Sequence, residues 1–125
     1  MNDDKNTGTI PVEVARQMVD AYTQYSKECP AEAYTKAVWF PLEQIERIYN
    51  SLKERNSDGL RVYFGQYTKE AAAGLPDYYI GRNTVIFVPT TKAKGYGDPI
   101  HDDDLGTDPE NKGEICPQAC DGTAL

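Results

Sequence analysis

The sequence predicts an α+β fold in which two helices pack on a small three-stranded mixed sheet, followed by an irregular acidic C-terminal extension. Three observations support this fold class. Two stretches begin at a proline and carry apolar residues at helical spacing, and three short apolar stretches are rich in strand-forming residues. From residue 95 onward, aspartate, glycine and proline dominate, and these residues favour turns. The predicted order of elements is α-β-α-β-β.

A first helix is predicted from Thr9 to about Tyr25. Pro11 suits a first helical turn, and Glu13 lies near the positive end of the helix dipole. Apolar side chains then recur on one face, at Val14, Met18, Tyr22 and Tyr25. We interpret this face as core packing.

The segment 35–67 is predicted to form a strand, a helix, a turn and a second strand. The apolar run 37–40 includes Trp39, which we expect to be buried. Pro41 begins the second helix, and Gly59 can end it by adopting positive φ. The apolar face of this helix is made of Leu42, Ile45, Tyr49 and Leu52. Short connections favour a right-handed crossover, so we expect the first two strands to be parallel.

The second strand alternates apolar and polar residues. Leu60, Val62 and Phe64 should face one side, and Arg61 and Tyr63 the other. The connection 68–83 contains a predicted helical turn that ends at Gly74, and the strand from Thr84 to Val88 follows it. We expect this third strand to run antiparallel to the second. A sheet this small has exposed edges, which favour dimerisation or partner binding.

Charge divides the chain into two parts. Residues 1–94 carry 12 acidic and 12 basic side chains, whereas residues 95–125 carry 8 acidic side chains and one basic side chain, which is the whole net charge of −7. We therefore predict a disordered N-terminus at 1–8, a single domain at 9–94 and an acidic extension at 95–125. Nucleic acid is not an expected partner because no cluster of Lys and Arg is present.

The hydropathy of the chain predicts its compartment. No apolar run approaches the roughly 18 residues that a membrane span needs, and the N-terminus has no pattern typical of a secretory signal. We therefore expect a cytoplasmic protein that does not bind membranes.

Three cysteines and one histidine offer a candidate metal site. Zinc is usually bound by four Cys or His ligands, and the chain has that number: Cys29, His101, Cys116 and Cys120. The spacing of Cys116 and Cys120 is not the usual C-x₂-C, and these two thiols could instead close a small disulfide or remain free. We predict no cofactor, with zinc at these four residues as the alternative.

A second candidate site combines arginine with tyrosine. Aromatic side chains and arginine on an exposed sheet are typical of recognition surfaces, and we predict binding by Arg61, Tyr63, Tyr67, Tyr78, Tyr79 and Arg82. The alternative is that the 68–83 connection or the extension covers this face and uses the rings as a second small core. In a combined version, the acidic extension folds over Arg61 and Arg82.

Catalysis finds little support in the sequence. Any Ser–His or Cys–His pair must use His101, and no phosphate-binding glycine motif is present. No catalytic residue is predicted, and an enzyme is the less favoured class.

Four stretches occur in order along the chain, namely AVWFPLEQIERI, DGLRVYFGQY, TVIFVPT and ICPQAC. Over residues 37–120 they resemble a family of small uncharacterised proteins predicted in Bacteroidetes genomes. The resemblance implies a bacterial protein that forms a discrete domain. It implies no activity and no functional residues.

Taken together, the sequence predicts a non-enzymatic binding or protein-interaction module. Its expected partner is another protein or a second copy of the chain, bound through a sheet edge or the Tyr/Arg face. One alternative is a metal or thiol protein that uses the C-terminal cysteines. Another is a small enzyme with its site under the 68–83 connection.

Overall fold

A computed structural model describes residues 8–28, 31–92 and 100–125. Within these ranges the protein is a small α+β fold with two α-helices and antiparallel strands. Most of the stretch predicted to be disordered, residues 1–8, lies outside the described residues.

Both predicted helices are present, and the first begins at Val12, three residues after the predicted Thr9. Helix α1 spans Val12–Ser26 and helix α2 spans Leu42–Glu54, each directly after a proline in extended conformation. Each has a glutamate in its first turn, which suits the positive end of the helix dipole. The end of α2 differs from the prediction, because Asn56 rather than Gly59 has positive φ, at 53°. Asparagine tolerates this conformation better than most residues do.

The strands form two separate antiparallel sheets. The larger sheet has the order β2-β3-β4 and the smaller sheet pairs β1 with β5. The strand bounds are β1 Ala37–Trp39, β2 Gly59–Gln66, β3 Asn83–Lys92, β4 His101–Asp103 and β5 Glu114–Cys116. The antiparallel pairing of the second and third strands is confirmed, with Tyr63 opposite Ile86.

The prediction of a mixed sheet with β1 parallel to β2 is wrong. Strand β1 pairs antiparallel with β5, placing Val38 opposite Ile115. A Cβ atom at Gly113 would lie 2.5 Å from Val38 Cγ1 and 2.7 Å from the Trp39 carbonyl oxygen. Glycine therefore lets the chain just before β5 approach β1 closely. Helix α2 connects β1 of the smaller sheet to β2 of the larger sheet.

The C-terminal extension contributes to the core. Ile115 and Cys116 are each 1% exposed, and Ile115 clusters with Tyr67, Ala72 and Tyr79. The extension is thus not irregular throughout, because it forms β4 and β5. The boundary between a domain at 9–94 and the extension stays a prediction.

Trp39 is not in the core as the sequence predicted, because its side chain is 57% exposed. Successive residues of a strand point to opposite faces. Val38 packs against the buried cluster, and Phe40 lies 4.8 Å from Phe87 between ring centroids. With its neighbours pointing inward, Trp39 points outward.

Candidate functional site

Arg61 and Tyr63 share one face of the larger sheet, as predicted. Asp103 of β4 joins them, with Arg61 Nη1 2.5 Å from Asp103 Oδ1 and the Tyr63 hydroxyl donating to Oδ2. Both side chains must cross β3 to reach β4, since β3 lies between β2 and β4 in the sheet. The hydrogen bond from Tyr63, followed by that from Arg61, lowers the pKa of Asp103. The Asp103 carboxylate of the extension therefore neutralises the positive charge of Arg61.

A second polar contact ties β4 to the turn after α2. His101 Nδ1 lies 2.6 Å from Asp58 Oδ2, and the Thr90 hydroxyl donates to Asp58 Oδ1 at 2.6 Å. The hydrogen bonds from Thr90 and then from His101 lower the pKa of Asp58. His101, the histidine proposed as a metal ligand, thus has its Nδ1 engaged by a carboxylate.

Arg82 belongs to a different environment from Arg61. It is only 6% exposed and donates to the Tyr34 carbonyl oxygen at 3.0 Å, to Gln118 Oε1 at 3.2 Å and to the Pro117 carbonyl oxygen. Burial lowers the pKa of this guanidinium. Its partners are neutral oxygens, so Arg82 anchors the C-terminal segment and is not available at the surface.

The predicted tyrosines are likewise mostly core residues. Tyr67 and Tyr79 are buried and meet edge to face, with ring centroids 5.2 Å apart, while Ala72 of the 68–83 connection packs beside them. Tyr78 is exposed. The Tyr67 hydroxyl is buried without a hydrogen-bond partner among the described residues. The six predicted binding residues thus divide into a polar pair on the sheet and a group around a small core.

Cys116 and Cys120 form a disulfide, with their Cα atoms 4.7 Å apart. Cys29 lies outside the described residues, and within those residues no group of three or more His, Cys, Asp or Glu side chains is placed to hold a metal ion. The zinc site at Cys29, His101, Cys116 and Cys120 stays a prediction, and it would require reduction of this disulfide. The predicted cytoplasmic location stays a prediction.

The surface that sequence reasoning missed is apolar. Phe64 of β2 is 89% exposed, and Val62 and Leu60 on the same face are also exposed. Two adjoining cavities of about 530 and 710 Å³ lie between this end of the sheet and α1, and both are lined by Tyr22, Phe64 and Asn83. We call this surface, made by Leu60, Val62, Phe64, Met18, Tyr22 and Tyr25, the apolar strip.

The helical part of the apolar strip comes from the face of α1 that was predicted to pack in the core. Met18 and Tyr25 are more than half exposed, and none of the residues of α1 is buried. Tyr22 stacks on Tyr34 with ring centroids 5.8 Å apart, which fixes one wall of the cavities. The predicted burial of this face is therefore wrong for the isolated chain.

Helix α2 also turns much of its predicted apolar face outward. Leu42, Ile45 and Tyr49 are each at least half exposed, whereas Leu52 is half-buried. Gln44 instead faces the extension, donating to Glu110 and to the Asn111 carbonyl oxygen. Two amphipathic helices offer more apolar surface than sheets of two and three strands can cover. This excess of apolar helix surface was the sequence signal that could have predicted an exposed strip.

Strand β2 has one unpaired edge within the described residues, since it ends the order β2-β3-β4. Backbone groups alternate along an antiparallel strand between the two edges. Phe87 exchanges backbone hydrogen bonds with Glu110 on its other side, at 2.8 and 3.0 Å, so Val62, which lies opposite Phe87, directs its own N–H and C=O away from β3. By the same alternation, Leu60 and Phe64 direct their backbone groups to the free edge.

Comparison of the chain with protein-family models, with curated proteins and with solved structures found no match. Among the described residues, neither helix has the length and hydrophobicity that crossing a membrane requires.

Proposed function

We propose that this protein is a non-enzymatic protein-interaction module that binds another polypeptide through the apolar strip. The observation that carries the proposal is the 89% exposure of Phe64, a large apolar side chain in the middle of a strand. A contiguous exposed apolar patch is typical of a protein interface, and aromatic residues and methionine are enriched there.

The backbone of β2 supports the same function. An unpaired strand edge presents N–H and C=O groups that another strand can satisfy. The side chains that alternate along this edge are apolar, and the cavities beside Phe64 can accept apolar groups of a partner. Backbone pairing would supply affinity, and the cavities would supply specificity.

The two alternative functions have less support. A site under the 68–83 connection would need space that Tyr67, Ala72 and Tyr79 occupy as core side chains. The thiol alternative rests on the Cys116–Cys120 disulfide, whose Cys116 is almost fully buried and therefore poorly accessible to a redox partner.

Site-specific photo-crosslinking tests the proposal. A photoreactive phenylalanine analogue at position 64, in protein expressed in its native host, should form a covalent adduct with another polypeptide, and mass spectrometry would identify it. The matched control places the same analogue at Leu105, which is 73% exposed and lies outside the apolar strip. Equal labelling at both positions, or none at position 64, would contradict the proposed function.

A further inference from the structure

We infer that the occupant of the β2 edge is β2 of a second copy of this chain, paired antiparallel with Val62 on the two-fold axis. This inference rests on the proposed function and names its partner. The two three-stranded sheets would join into one continuous sheet of six strands. Such a contact is isologous, so the same residues serve both copies.

The first argument is the lack of protection on this edge. Natural edge strands avoid unwanted pairing with charged residues, proline or bulges. Strand β2 spans Gly59–Gln66, and its three residues with outward backbone groups in the middle of the strand are Leu60, Val62 and Phe64. None of the three carries a charge, and the strand contains no proline. At these three positions the edge therefore lacks the charges and prolines that would prevent self-pairing.

Charge also selects this segment for contact between two copies. The chain has a net charge of −7, so most approaches between copies meet repulsion. Arg61 is the one charged residue in the β2 segment 59–66, and Asp103 pairs with it at 2.5 Å. The edge is thus a locally neutral strip on an acidic chain.

The register follows from the side chains. A two-fold axis at Val62 places Leu60 opposite Phe64 of the second copy, so each apolar residue meets an apolar residue on one face. On the other face Arg61 lies opposite Tyr63 of the second copy, so this register places no like charges opposite each other. An axis at Tyr63 would instead place apolar Leu60 opposite polar Gln66. Cross-strand apolar pairs stabilise a sheet, so the axis at Val62 is favoured.

Charge-swap variants at the axis test both the partner and the register. In the proposed register residue 62 of one copy lies opposite residue 62 of the second copy. Val62→Lys alone and Val62→Glu alone therefore each place two like charges opposite each other across the interface. Analytical ultracentrifugation should show wild-type dimers and, for each variant alone, dimerisation weakened by at least about tenfold. An equimolar mixture of the two variants should recover a heterodimer.

The controls make every outcome decisive. Val62 is 46% exposed, so both variants should fold, which circular dichroism would verify. Leu105→Lys, an equally apolar-to-charged change outside the strip, should leave dimerisation unchanged. A wild type that stays monomeric, or Val62 variants that stay dimeric, would overturn the inference. Dissociation of each variant without recovery in the mixture would overturn the proposed register.

The inference can fail while the proposed function stands. If the chain is monomeric and position 64 still crosslinks to a different protein, the apolar strip is an interface and the second copy is not its occupant. If the chain is monomeric and position 64 gives no adduct, both fail.

Discussion

Asp104 connects the extension to α2 through both of its carboxylate oxygens. Arg55 Nε lies 2.7 Å from Oδ2 and Arg55 Nη2 lies 2.9 Å from Oδ1, a bidentate geometry. The Gly106 backbone N–H also donates to Oδ1, at 2.9 Å. The hydrogen bonds from Arg55 and then from Gly106 lower the pKa of Asp104 to about 2.

This lowered pKa predicts a pH dependence of stability. A carboxyl whose folded pKa lies below its usual 3.8 stabilises the fold above that value and loses the contribution as pH falls towards about 2. Asp104→Asn should therefore unfold at lower urea concentration than wild type near neutral pH. The difference in urea midpoint between Asp104→Asn and wild type should disappear between about pH 4 and pH 2. Urea melts across this range would measure it.

The control for this prediction is Asp121→Asn, which removes an exposed carboxylate from the same extension. It should leave the urea midpoint close to that of wild type at each pH. A gap between Asp104→Asn and wild type that is the same at pH 7 and pH 2 would show that the carboxylate charge does not carry the effect.

The positions of Arg61 and Arg82 show what the sequence could not predict about single residues. The sequence predicts Arg61 and Arg82 as one binding surface, since arginine is rarely fully buried. The structure separates them, because Arg82 finds carbonyl and amide oxygens of Tyr34, Pro117 and Gln118. All three partners lie more than thirty positions away along the chain, and no local pattern indicates such distant acceptors.

At the scale of elements, Gly113 makes the pairing of β1 with the extension testable. A Cβ at this position would lie 2.5 Å from Val38 Cγ1, 2.7 Å from the Trp39 carbonyl oxygen and 2.9 Å from Phe40 Cε1. Because backbone cannot move aside cheaply, Gly113→Ala should lower the free energy of unfolding by about 1–3 kcal/mol. Chemical denaturation would measure this loss.

Gly59→Ala is the matched control, because a Cβ there would meet the Thr90 side chain at an ordinary distance of 3.5 Å. Gly59→Ala should lower the free energy of unfolding clearly less than Gly113→Ala does. Equal losses of unfolding free energy in the two variants would mean that the close approach of residue 113 to β1 does not hold the extension in place.

Both helices, the first three strands and the antiparallel pairing of β2 with β3 were predictable, whereas β4, β5 and the partner of β1 were not. Pro11 and Pro41 placed both helix starts, because a proline restricts the backbone locally. Strand β1 has only three residues, so it carries too little pattern to select between β2 and β5. The face of α2 was also misassigned, since exposed Leu42 and Ile45 follow the same helical spacing as residues of a buried face.

At the scale of the whole molecule, the extension completes the fold. It supplies Ile115 to the core, β5 to the smaller sheet and β4 to the larger one, and Glu110 pairs with Arg47 of α2. The acidic composition predicted an irregular extension, with folding of this extension over Arg61 and Arg82 as one alternative. Asp103 does pair with Arg61, but the composition did not predict that Glu110 and Asp104 pair with Arg47 and Arg55 of α2.

Deletion of residues 95–125 should therefore abolish cooperative unfolding. The deletion removes the partner of β1, leaves Tyr67 and Tyr79 without Ile115, and removes the carboxylates opposite Arg47, Arg55 and Arg61. Thermal melts followed by circular dichroism would show a broad transition or none. Deletion of residues 121–125 alone, which are all exposed, should preserve a cooperative transition. A folded, cooperative 1–94 fragment would show that the extension is only an appendage.

The pairing of Ala37 with Cys116 has a consequence for how the protein is made. A ribosome adds about 5–20 residues per second, so β1 waits roughly 4–16 s after its synthesis for its partner strand. During that interval the nascent chain exposes both an open β1 edge and the apolar side chains that Ile115 later covers. Unpaired strand edges and exposed apolar side chains make folding intermediates prone to aggregation, so β1 is protected only after β5 has been synthesised.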